Sequence, residues 1–112
     1  LSKLIGTGKA RELYYTGESL DAGQALALGV VNEVVPDFEL LDATMALARR
    51  LADGPRVALG LMKRNFNAAE NGSLSELLDL EALHQVQTSK TEDHQEAARA
   101  FVEKRKPVFK GR

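Results

Sequence analysis

Only one run in this chain reads as a β-strand. "VVNEVVP", at 30–36, is short and β-branched and is stopped by Pro36. A lone strand cannot satisfy its own backbone N–H and C=O groups. It must pair with something outside the chain or lie in an extended loop. Whatever this chain folds into must therefore be built mainly from helices.

The rest of the sequence supplies them. Ala10, Leu13 and Tyr14 have the spacing of an amphipathic helix, which Gly17 ends. Asp21 and Gln24 form a capping box for a short helix that Gly29 closes, with Leu20 as its hydrophobic staple. Asp37 is placed to cap a third helix reaching about Ala52, with Leu41, Met45, Ala48 and Leu51 on one stripe. "DGP" then breaks the pattern. Pro55 suits the first turn of a fourth helix, which carries Ala58, Met62, Phe66 and Ala69 on one face and stops at Gly72. Ser73 and Glu76 form a second capping box. The helix they open runs to about Ser89 and is apolar on more than one side, which implies two neighbours. Asp93 and Glu96 read as a third box. They open a last helix with Ala97, Ala100 and Phe101 inward, ending near Lys104. The expectation is five or six short helices and one extended segment at about 32–35.

The chemistry that this composition excludes is as informative. With 112 residues the chain forms one small domain at most. Its formal net charge of −1 gives no field that would draw in nucleic acid. There is no cysteine, so neither a disulfide nor a thiolate metal site is available. No apolar run approaches the roughly 20 residues of a membrane-spanning helix, and no secretory signal is visible. A cytoplasmic location is expected. "GTG" at 6–8 is too short for a phosphate loop, and His84 and His94 lack metal-ligand spacing. Both histidines read as solvated side chains. The carboxylates read as caps or surface charges, and none is expected in an apolar pocket. Tyr14 and Tyr15 read as core packing. Taken alone, the chain shows no active site.

The ending "FVEKRKPVFKGR" is the exception. Lys104, Arg105 and Lys106 are consecutive and are flanked by Phe101 and Phe109. One reading is electrostatic: the cluster complements the negative end of the last helix. The other is a phosphate site, with a lysine as point charge and a phenylalanine as a face for a base. That pairing suits a nucleotide-bearing ligand. Three charges make a small footprint for single-stranded nucleic acid, which is not expected as a partner.

The segment "KARELYYTGESLDAGQALALGVVNEVVP", the "LADGP" turn, the "LMKRNFNAA" helix and the ending "AARAFVEKRKPVFKGR" together resemble the enoyl-CoA hydratase/isomerase (crotonase) family. The four segments come in the family's order and cover essentially the whole chain. Gly23 stands where an acidic residue or alanine is usual, at a cost of about 1 kcal/mol in helix propensity.

The resemblance implies a mainly α fold: the C-terminal helical, trimerisation region of the crotonase fold. Residues 1–35 would end the crotonase core and 36–112 would form the helical, CoA-contacting region. The catalytic N-terminal spiral, with its oxyanion hole and its glutamates, would lie upstream of "LSKLIG". The implied activity is hydration or double-bond isomerisation of enoyl-CoA through a stabilised thioester enolate. The chain alone would be inactive, with no catalytic residue of its own. Implied partners are an acyl-CoA thioester, the missing spiral, and further copies in a homo-trimer or hexamer. No separate cofactor is implied, because the substrate itself carries coenzyme A. A lysine and a phenylalanine near the family's C-terminus approach the adenosine end of CoA, and the matching positions are Lys104 and Phe101. The competing expectation is a non-catalytic helical oligomerisation module.

Overall fold

The computed structural model describes residues 1–112 and contains helices but no sheet. They are α1 (Ser2–Ile5), α2 (Thr7–Thr16), α3 (Ala22–Ala27), α4 (Leu40–Ala52), α5 (Arg56–Ala69), α6 (Leu74–Ser89) and α7 (Glu92–Val102). A 3-10 turn, Asp37–Glu39, leads into α4. The mainly α class expected from the sequence is what the backbone shows. Seven helices replace the five or six expected, the addition being the single turn of α1. The chain divides into two compact units, Leu1–Ala43 and Thr44–Arg112.

In the first unit α1 and α2 pack together, and Ala10 and Leu13 of α2 are its buried apolar residues. Tyr14 and Tyr15, expected in a core, are both largely exposed. α3 starts on the expected box: Asp21 Oδ1 accepts from the Gln24 N–H at 2.7 Å, and Gln24 Oε1 accepts from the Asp21 N–H at 2.9 Å. It closes at Gly29 (φ 71), where the Val30 N–H reaches the Ala25 carbonyl at 2.8 Å. That six-residue closure needs a left-handed residue, which glycine supplies without a Cβ penalty. "VVNEVVP" then runs as irregular backbone, with Val31 and Val34 exposed. Asp37 does not cap α4 with its side chain. Pro36 opens a 3-10 turn there, so Asp37 lies inside the turn and its carbonyl, not its carboxylate, accepts a bond from the Leu40 N–H.

In the second unit α5 packs on α6, and α6 on α7. The Ser73–Glu76 box opens α6 as expected. The Glu76 N–H donates to Ser73 Oγ at 3.3 Å, and Glu76 Oε2 accepts from the Ser73 N–H at 2.8 Å. The Ser73 N–H and then its hydroxyl hold the Glu76 carboxyl below its ordinary pKa. α6 carries apolar residues on more than one side, and Leu74, Leu78, Leu83 and Val86 remain exposed. The α4 stripe at Leu41, Met45 and Leu51 is exposed too.

The buried apolar set is small: Ala10, Leu13, Ala58, Leu61 and Ala100. The accessible surface is 9009 Å². Two separate compact bodies of these sizes would expose roughly 7,300 Å² between them. The excess, roughly 1,700 Å², falls within the share that one partner contributes to an obligate interface. Exposed leucine, valine, methionine and phenylalanine side chains contribute to this surface, which water does not favour.

Candidate functional site

The last helix and the tail after it hold the residues singled out above. α7 starts differently from expectation. Thr91, not Asp93, is the cap, and its Oγ1 accepts from the His94 N–H at 3.1 Å. That places Asp93 inside the first turn, where it is only 2% exposed. Its carboxylate is a buried acceptor, contrary to the expectation that no such carboxylate exists here. Oδ1 takes the Lys110 N–H at 2.6 Å and Oδ2 takes the Gly111 N–H at 2.8 Å. The Asp93 N–H in turn donates to the Arg112 carbonyl at 3.1 Å.

Glu96 likewise caps nothing. It accepts from the Val108 N–H at 3.0 Å and from both terminal nitrogens of Arg105, at 2.5 and 3.1 Å. The Arg105 guanidinium, followed by the Val108 N–H, holds the Glu96 carboxyl down to about 2 from 4.5. Arg105 also donates through Nε to Glu103, and the two carboxylates raise its pKa further. A depressed carboxylate pKa stabilises the fold above the unfolded value and loses that contribution as pH falls through the folded one. The tail should therefore loosen as pH falls from about 4.5 to about 2. Hydrogen exchange at the Val108 amide checks this: protection is expected to fall across that window in the parent and to be weak and nearly flat in Glu96→Gln.

α7 ends in a chain reversal. The Arg105 N–H donates to the Ala100 carbonyl at 3.0 Å and the Lys104 N–H to the Phe101 carbonyl at 3.3 Å. This is a Schellman closure with Lys104 in the left-handed position, at φ 53. Lys104 is the only non-glycine residue with positive φ. Left-handed backbone costs an L-residue with a Cβ about 1 kcal/mol or more. Phe101, expected inward, is 86% exposed. The inner side of α7 centres on Asp93 and Ala100, and the next residue turns about 100° away.

The basic cluster therefore divides. Arg105 is committed to Glu96 and Glu103, while Lys104 and Lys106 pair with no carboxylate. Phe101 and the uncommitted Lys104 share one exposed helix end. Phe109 is half-buried in the tail.

Of the two histidines expected in solvent, one is not there. His84 is buried, and its Nδ1–H donates to Asn65 Oδ1 at 2.5 Å, linking α6 to α5. His94 is exposed. A cleft of about 450 Å³ runs between α5 and α6, lined by Leu61, Met62, Leu78 and Glu81 among others, and includes neither Phe101 nor Lys104. No three His, Asp or Glu side chains are grouped to hold a metal ion. No helix is long and apolar enough to cross a membrane.

Asp93 was hidden in the sequence because acids in a first turn usually serve the helix itself. The signal was Thr91, a better cap residue two positions earlier.

The model of the enoyl-CoA hydratase/isomerase family matches residues 1–112. The chain belongs to that family. Among family members, 1,2-epoxyphenylacetyl-CoA isomerase of Escherichia coli is 38% identical over all of this chain, which covers 43% of that protein. Short-chain-enoyl-CoA hydratase of Clostridium acetobutylicum is 34% identical over 95% of the chain, covering 41% of its own length. The crystal structure of enoyl-CoA hydratase from Bacillus anthracis matches with a TM-score of 0.92 at 33% identity, over 99% of this chain and 43% of that one. The chain thus spans about two-fifths of the length of these enoyl-CoA hydratase/isomerase relatives.

Proposed function

We propose that this chain is the C-terminal portion of an acyl-CoA-processing enzyme of the enoyl-CoA hydratase/isomerase family. Its role is to help assemble subunits and to contact the adenosine end of coenzyme A. The observation that carries this reading is the exposed pair at the end of α7. Phe101 offers an uncovered ring, and Lys104 an ammonium that no carboxylate neutralises. A ring that takes a base face and a point charge that takes a phosphate suit the adenosine phosphate of CoA. The excess apolar surface supports the assembly role, in a trimer or hexamer. Proton transfer and enolate stabilisation fall to an upstream spiral, and the 112 residues alone are inactive. The relatives' names include both a hydratase and an isomerase, which supports an enoyl-CoA or closely related thioester as the substrate class.

The test is CoA binding by the full-length protein carrying Lys104→Ala. Loss of one charge-assisted phosphate contact costs about 1.5–3 kcal/mol, or about 10- to 150-fold in Kd. An unchanged Kd by calorimetry removes Lys104 from the CoA site.

A further inference from the structure

We propose that Asp93 is a positioning residue for the coenzyme: its buried carboxylate holds the C-terminal tail against α7, and the held tail fixes the chain reversal that carries Lys104. The inference rests on the reading of Phe101 and Lys104 as CoA-facing residues.

The argument starts from Lys104. A left-handed lysine does not persist unless the chain is anchored on both sides of it. Upstream, the anchor is α7 itself. Downstream lies a segment without helix or strand, whose backbone groups have no partners in regular secondary structure. Here it does not run free. Pro107 has no N–H, so the first donor after Lys106 is Val108, and Glu96 takes it. Asp93, one turn nearer the start of α7, takes the next two donors in reach, Lys110 and Gly111. The tail thus runs back along α7 and is tied at two successive turns.

Three further contacts fix the far end. The Asp93 N–H holds the Arg112 carbonyl, Glu92 pairs with Arg112 at 3.2 Å, and Arg56 Nη2 donates to the Lys110 carbonyl at 2.9 Å. Arg56 opens α5, so the tail joins α5 to α7. Gly111 sits at φ 77 with the Arg56 guanidinium against it, and a Cβ there would overlap that group. Asp93 is the hub of this arrangement. It is the most buried charged residue in the chain, and both carboxylate oxygens are spent on tail backbone. None of these contacts involves Lys104 or Phe101 directly, so Asp93 acts on the ligand only through the backbone it holds.

The experiment compares full-length parent, Asp93→Asn, Lys104→Ala and the double variant. Calorimetry reads binding of CoA and of 3′-dephospho-CoA, which lacks the phosphate a lysine here would meet. The expected result is that Asp93→Asn lowers the preference for CoA over 3′-dephospho-CoA by about fivefold, with little change in dephospho-CoA affinity. In the Lys104→Ala background, Asp93→Asn should change that preference no further. If Asp93→Asn weakens both ligands equally, or leaves the preference unchanged while Lys104→Ala lowers it, Asp93 is structural only and the inference fails. If Lys104→Ala itself keeps the parental preference, the CoA reading fails instead. Should Asp93→Asn not fold, Glu96→Ala, which removes the acceptor of the Val108 N–H, reads whether the held tail fixes Lys104, with the same two outcomes.

Discussion

Asp93→Ala is expected to lower folding stability by about 2–4 kcal/mol, and to do so without touching an apolar core. The Lys110 and Gly111 N–H groups would lose their acceptor, and each unsatisfied donor costs about 1–3 kcal/mol where it stays out of water. The lower end applies because Lys110 is exposed and its N–H can turn to solvent. The small cavity left by the side chain adds to the loss. Urea unfolding of the full-length protein checks this, with Glu92→Ala as control. Glu92 pairs with Arg112 at the surface, and its loss should cost about 0.5 kcal/mol or less. A midpoint for Asp93→Ala as close to the parent as that of Glu92→Ala would show that water replaces Asp93 at no cost.

Lys104→Gly is expected to move two quantities in opposite directions. Glycine enters the left-handed region freely, so removing the Cβ should stabilise the fold by about 0.5–1 kcal/mol after its greater unfolded-state entropy is counted. The same change removes the ammonium. CoA binding should weaken by about 1.5–3 kcal/mol, as for Lys104→Ala. A strained residue kept at a ligand site shows this opposition of stability and function. Thermal melts and calorimetry on one preparation read both. A lower melting temperature for Lys104→Gly would mean that the lysine side chain packs favourably at the reversal, and that no strain is stored there.

What was legible in the sequence follows from how far each interaction reaches. The boxes at Asp21–Gln24 and Ser73–Glu76 were readable because both partners lie three residues apart. Asp93 and Glu96 show the same spacing, yet their partners are Val108, Lys110 and Gly111, 12 to 18 residues downstream. No local pattern separates the two cases. The inward or outward sense of Phe101, Tyr14, Tyr15 and His84 was misread for a related reason. Burial depends on what covers a face, and periodicity gives only the face. His84 found Asn65 on the neighbouring helix, whereas Phe101 and the tyrosines found no cover within this chain. Lys104 and Phe101 were marked by resemblance and not by spacing. The left-handed backbone that sets Lys104 apart had no sequence signal, because glycine is the usual occupant.

The small buried set has a consequence for the order in which this protein forms. The caps at α3, α6 and α7 bond within a few residues, so those helices can form within microseconds without a distant contact. Covering their apolar sides requires a partner surface, and docking is slower and, between subunits, depends on concentration. During that interval Leu41, Met45, Phe66, Leu78 and Val86 face water on preformed helices. Charge gives little protection, since 15 basic and 16 acidic residues nearly cancel. Under the proposed assembly role, these 112 residues would dock late, and their solubility would depend on how quickly their apolar sides are covered.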